Sequence, residues 1–140
     1  MALGASACGE DDKKLGKAEF VRKANAICTK FEKKGSAIPE PSGAGSDKED
    51  LERVAAYLDK STPVVEGQHK ELNDLEPKDG ALAKKWNTYL DGLRSAVDDL
   101  EEAREKAKDG DKAGMQAAAK RLQANDADAE PALGNGACAD

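Results

Sequence analysis

Residues 46–75 read SDKEDLERVAAYLDKSTPVVEGQHKELNDL. Ser46-Asp47-Lys48-Glu49 has the form of a capping box, in which the serine and the glutamate satisfy each other's free backbone N–H groups. Apolar residues then recur at Leu51, Val54, Ala55, Leu58, Val65, Leu72 and Leu75. Pro63 interrupts this face. A proline inside a helix removes one backbone hydrogen bond and clashes with the preceding turn, so two short helices are the alternative. Leu58, Val65 and Leu72 nevertheless stay in phase at intervals of seven across the proline. That phase predicts one kinked helix over 47–75, softened at Gly67.

Three further helices follow from the same periodicity. Before the quoted stretch, Phe20, Val21, Ala24, Ile27, Cys28 and Phe31 mark a helix over 17–35, with Gly16 as N-cap and Leu15 placed to staple against Phe20. GSAIPEPSGAG, residues 35–45, is a loop. After it, Asp79 is the N-cap expected for a helix over 80–108. Its face is Leu82, Trp86, Tyr89, Leu90, Leu93, Val97, Leu100, Ala103 and Ala107, with Lys106 and Lys108 at its negative end. A fourth helix, over 111–130, carries Met115, Ala118, Leu122, Asn125 and Ala129 and is closed by Pro131 and Gly134. No segment alternates as a strand does. Short connections favour antiparallel neighbours. The fold expected is all-α, an up-and-down antiparallel four-helix bundle with a Pro-kinked second helix, closed by one disulfide.

The chain has 140 residues, 36% charged and 4% aromatic, with net charge −6. A core built largely from alanine is thin and close-packed, and one domain is the expectation. Acids and lysines are interleaved. Lys13, Lys14 and Lys17 follow Glu10, Asp11 and Asp12 and make no basic patch, so nucleic-acid binding is excluded. No apolar run approaches the roughly 20 residues that a membrane span needs.

Chemistry-bearing patterns are few. Glu66-Gly67-Gln68-His69 is a Glu-x-x-His, which puts a carboxylate and an imidazole on one helix face. A di-iron bundle needs two such motifs, and His69 is the single histidine. A half-buried structural role is expected for it, and no metal. Asp109, Asp111 and Gly114 resemble a calcium loop, but Ala113 and Lys120 stand where ligands are needed, so helix-end roles are expected. In DDLEEAREKAK, residues 98–108, Glu101 with Arg104 and Glu102 with Lys106 have helical contact spacing. Gly-x-Ser-x-Gly and phosphate-cradling loops are absent, which points away from catalysis and cofactors. A ligand pocket, if the bundle holds one, is expected near the bend at Pro63, with Glu66, His69 and Trp86 as its residues.

The N-terminus reads ALGASACGEDD, residues 2–12. Small residues leading to Cys8, followed by a polar stretch, resemble the end of a bacterial lipoprotein signal peptide, although Ala5 stands where leucine is usual. The alternative is an Ala-rich N-terminus with an incidental cysteine. On the lipoprotein reading, 1–8 is the remnant of the signal and lipobox, 9–16 a flexible tether and 17–140 the bundle. Cys28 and Cys138 are then in an oxidising compartment. Helices one and four are neighbours in an antiparallel bundle, so these thiols can meet; two free thiols are the alternative.

KAEFVRKANAICTKFEK, residues 17–33, with ALGNGAC, residues 132–138, resembles a family of small actinobacterial lipoproteins. Phe20, Ala24, Ile27 and Cys28 match its first motif; Leu133, Gly134 and Cys138 match its closing one. The resemblance implies a helical, disulfide-closed domain, lipid-anchored through Cys8 on the extracytoplasmic face of the cell membrane, and it implies no particular activity. The function expected is that of a non-enzymatic, monomeric module meeting an envelope protein partner. A small-ligand or metal-binding lipoprotein is the alternative.

Overall fold

The computed structural model describes residues 13–42, 48–133 and 138, and the side chains of these residues up to 124 and at 138. It contains four helices: α1 (Lys17–Ser36), α2 (Lys48–Asn73), α3 (Gly80–Lys108) and α4 (Lys112–Leu133). All of the expected boundaries lie within three residues of these. Ser46 and Asp47 of the capping box and Cys8 lie outside the described residues. α2 runs unbroken through Pro63. The missing N–H leaves the Asp59 carbonyl without its intrahelical donor. Packing on either side of the proline, at Leu58 and at Leu72, keeps the two halves together. α4 likewise continues past Pro131, which was expected to close it, and ends at Leu133.

The helices run up and down, and successive helices pack together. Ion pairs mark each antiparallel register. Lys30 of α1 meets Glu71 of α2 at 2.6 Å. Asp59 of α2 meets Lys108 and Arg104 of α3 at 3.0 and 3.6 Å. Arg121 of α4 meets Asp99 and Glu102 of α3 at 2.9 and 2.5 Å. These partners differ from the expected ones: Arg104 reaches across to α2, and Glu102 reaches across to α4. Burial of one face of α3 aims its flanking charges at the neighbouring helices, where the opposite charges wait.

The core is divided in two. Leu51, Ala55 and Leu58 of α2, Leu100, Ala103 and Ala107 of α3, and Met115 and Ala118 of α4 form one cluster. Phe20 and Ala24 of α1, Leu72 of α2, and Trp86 and Leu90 of α3 form the other. The α2–α3 hairpin belongs to both, with α4 joined to it in the first cluster and α1 in the second. Alanines at the first cluster's contacts let the helix axes approach closely. Between α1 and α2, Gly67 serves the same end, because a Cβ there would stand 3.0 Å from the Phe31 ring.

A clip not foreseen in the sequence fastens the start of the chain. The Leu15 N–H donates to the Glu76 carbonyl, and the Lys78 N–H donates to the Leu15 carbonyl, both at 2.8 Å. Leu15 thereby pairs with the turn between α2 and α3 as an isolated bridge to Pro77. Its side chain packs on the second cluster, of which Phe20 is a member. Residues 13–16 were expected to belong to a flexible tether; Leu15 is instead held by backbone bonds. At the other end of the hairpin, Asp109 is the C-cap of α3. Asp111 accepts from the Gly114 N–H at 2.9 Å and so caps α4. These are the helix-end roles expected for the two aspartates.

Two outcomes test this packing. Gly92 has open space where a Cβ would go. Gly92→Ala should therefore raise stability by about 0.5–1 kcal/mol, from helix propensity alone. Gly67→Ala should return less than that, or destabilise, because Phe31 must move; urea midpoints compare the two. The Gly114 N–H and then Lys106 hold the Asp111 carboxyl below its ordinary value. Its capping contribution is therefore complete above the ordinary carboxylate range and lost as pH falls through the lowered value. The stability gap between the wild type and Asp111→Ala should close on acidification, as read by thermal melts across pH.

Candidate functional site

Three places on the molecule hold the residues singled out in the sequence or a feature the sequence did not disclose. The first is the sulfur junction. Cys28 lies one turn beyond Ala24 on the inward side of α1, half-buried at the edge of the second cluster. Cys138 is five residues past the end of α4. The two are joined as a disulfide with Cα atoms 5.6 Å apart, across a sequence separation of 110. The Cys138 N–H donates to Asn25 Oδ1 at 2.5 Å, and Gln68 Nε2 donates to Cys28 Sγ at 3.5 Å. Cys138 takes φ 63°, in the left-handed region that non-glycine residues rarely adopt. The cross-link and the Asn25 bond both hold it there. The expected pairing is present, but not because helices one and four lie side by side. The closely packed pairs are α1–α2, α2–α3 and α3–α4, and Cys138 itself lies against α1, where its Sγ joins Cys28 and its N–H meets Asn25.

The second place is the pocket expected at the bend in α2. The structure does not assemble it. Trp86 is 1% exposed. Its ring meets Phe20 edge-on, with centroids 4.8 Å apart, and stacks on Tyr89 at 5.3 Å. The antiparallel register sets Trp86 against Leu72, nine residues beyond Pro63, so the indole is consumed by packing away from the bend. His69 is half-buried and Glu66 exposed on α2. Among the described residues no group of three His, Cys, Asp or Glu side chains is arranged to hold a metal ion.

The third place is a groove of about 270 Å³ between the loop after α1 and the first half of α2. Ile38, Pro39 and Pro41 form one wall; Arg53, Tyr57 and Lys60 form the other. It exists because α1 ends opposite the middle of α2, and the proline-containing loop, not a helix, borders the rest of that face. The loop leaves α1 by two backbone bonds, Ala37 to Lys33 and Ile38 to Gly35. Tyr57 is half-buried between the first cluster and the groove. Arg53 is bonded to Asp50, one turn back on α2, while Lys60 is exposed. From the sequence, residues 35–45 are expected only as a loop. Its three apolar residues, Ile38, Pro39 and Pro41, were the available signal.

If the sulfur junction fastens the chain end as described, Cys28→Ser should lower stability by about 2–5 kcal/mol. Closure of a loop of this size removes much of the unfolded chain's freedom. Denaturation with and without reductant checks it: reductant should bring the wild type close to the variant. Comparison of the chain with protein families, with curated proteins and with solved structures finds no match, so the reading of its function rests on the residues and geometry above.

Proposed function

We propose that the chain is an extracytoplasmic lipoprotein domain, anchored to the cell membrane through Cys8, that acts without catalysis by meeting an envelope protein partner. The observation that carries this reading is the Cys28–Cys138 disulfide. Such a bond persists in an oxidising compartment and is rare in a reducing one. With two of the three cysteines paired, Cys8 is the odd one, and it follows the small residues Ala5, Ser6 and Ala7. A diacylated cysteine supplies more than one acyl chain, which stable anchoring requires. The similarity to small actinobacterial lipoproteins agrees with the same division of the three sulfurs.

The interaction half of the proposal draws support from the groove. Aromatic and arginine side chains are enriched at protein interfaces, and the groove presents Tyr57 and Arg53 beside an apolar loop. A ligand site at Glu66, His69 and Trp86 gains no such support, because the indole is enclosed by Phe20 and Tyr89.

Mass spectrometry of the protein extracted from its own membrane tests the anchor. The expected product carries a diacylglyceryl group on Cys8 and leaves no thiol to alkylate until reductant exposes two, at Cys28 and Cys138. Three free thiols with no acyl mass would overturn the proposal.

A further inference from the structure

The two sulfurs of the Cys28–Cys138 bond stand in unlike surroundings. Cys28 Sγ accepts a hydrogen bond from Gln68 Nε2 at 3.5 Å. Gly67, without a Cβ, lets α2 lie against Phe31 of α1, and the next residue, Gln68, reaches the cysteine one turn before Phe31. Cys138 Sγ instead lies 3.6 Å from the Ala24 carbonyl oxygen. One sulfur faces a donor and the other an acceptor. Both cysteines are half-buried at the edge of the second cluster, so neither is sealed from solvent.

In thiol–disulfide exchange an incoming thiolate bonds to one sulfur and the other leaves as a thiolate. A donor facing the leaving sulfur stabilises the charge that forms there, and a carbonyl oxygen facing it does the opposite. Cys28 is therefore the better leaving group, and Cys138 the sulfur to attack. The backbone favours opening as well. Cys138 is held at φ 63°, which a non-glycine residue adopts at a cost. The cross-link and the bond from its N–H to Asn25 Oδ1 are its restraints. Breaking the cross-link removes the covalent one and lets Cys138 leave that conformation.

We infer that this bond is a releasable latch, opened by a dithiol reductant through attack at Cys138 with Cys28 as the leaving group. The first thiolate of the reductant bonds to Cys138 Sγ, the S–S bond breaks, and the electron pair passes to Cys28 Sγ, which takes a proton. The second thiolate displaces Cys138 Sγ, which takes a proton in turn and faces the Ala24 carbonyl as a thiol donor. The reductant ends as a disulfide, and the two protons it lost are the two that the cysteines gained. Opening leaves α1 the Leu15 clip and its buried Phe20, Ala24 and Phe31. The chemistry involves the paired cysteines alone, whatever group Cys8 carries.

The test uses the full chain with Cys8→Ser, so that only the paired sulfurs react. Glutathione, a single-thiol probe, traps the first step as a mixed disulfide. The folded chain and the chain unfolded in urea are treated with it and stopped with acid while most of the bond is intact. The freed thiol is then alkylated with N-ethylmaleimide, and peptide mass spectrometry locates both adducts. In the folded chain glutathione should sit on Cys138 about fivefold more often than on Cys28, with no such preference in urea. Gln68→Leu removes the donor and Gln68→Glu sets a carboxylate in its place; each should lower the preference by at least about twofold. Equal shares or a preference for Cys28 in the folded chain, the same preference in urea, or a preference unmoved in both Gln68 variants would overturn the proposal.

Discussion

The antiparallel pairing of α2 with α3 is the contact on which the rest of the molecule depends. Both core clusters draw on it: Leu51, Ala55 and Leu58 face Leu100, Ala103 and Ala107 at one end, and Leu72 faces Trp86 and Leu90 at the other. Neither outer helix could bury its apolar face without this hairpin. The pairing also explains how α2 stays continuous at Pro63. The proline removes one hydrogen bond and adds a steric conflict, but α2 is held on both sides of it by side chains packed into separate clusters. The loss of a single bond is small beside the burial of Leu58 and Leu72, at about 1.5–3 kcal/mol for each large apolar side chain.

The two outer helices are attached by different means. α4 follows a tight turn and lies along α3, packing Met115 and Ala118 into the core and placing Arg121 over Asp99 and Glu102. α1 buries three residues, Phe20, Ala24 and Phe31, and has extra fasteners at two points. The Leu15 clip holds its beginning and the disulfide its middle. A chain with so few large apolar residues gains from such devices, since a bond that restricts the unfolded ensemble stabilises without requiring more core. The stability of α1 and the proposed location of the protein thus rest on the same pair of sulfurs.

Charge follows the same geometry. Along the sequence the lysines and acids alternate closely enough that local helical pairs looked sufficient. In the folded chain the acids flanking the buried stripes of α2 and α3 reach basic groups on the next helix, as Asp59 does with Lys108 and Arg104. These pairs are partly exposed, so each contributes little to stability, but together they favour one register over its neighbours.

Much was legible from residues alone. The four helices, their caps at Gly16, Asp79 and Asp111 and the continuity of α2 all follow from interactions between residues three to seven apart, and those separations are written directly in the chain. The tertiary structure alone decided which distant residues meet. It placed Trp86 against Leu72 and away from the bend, divided the core in two, sent Arg104 and Glu102 to other helices, opened the groove at Tyr57, and clipped Leu15 to the α2–α3 turn. Each of these depends on the register between helices. That register is set by the summed fit of many side chains across an interface, and no local stretch of sequence contains it.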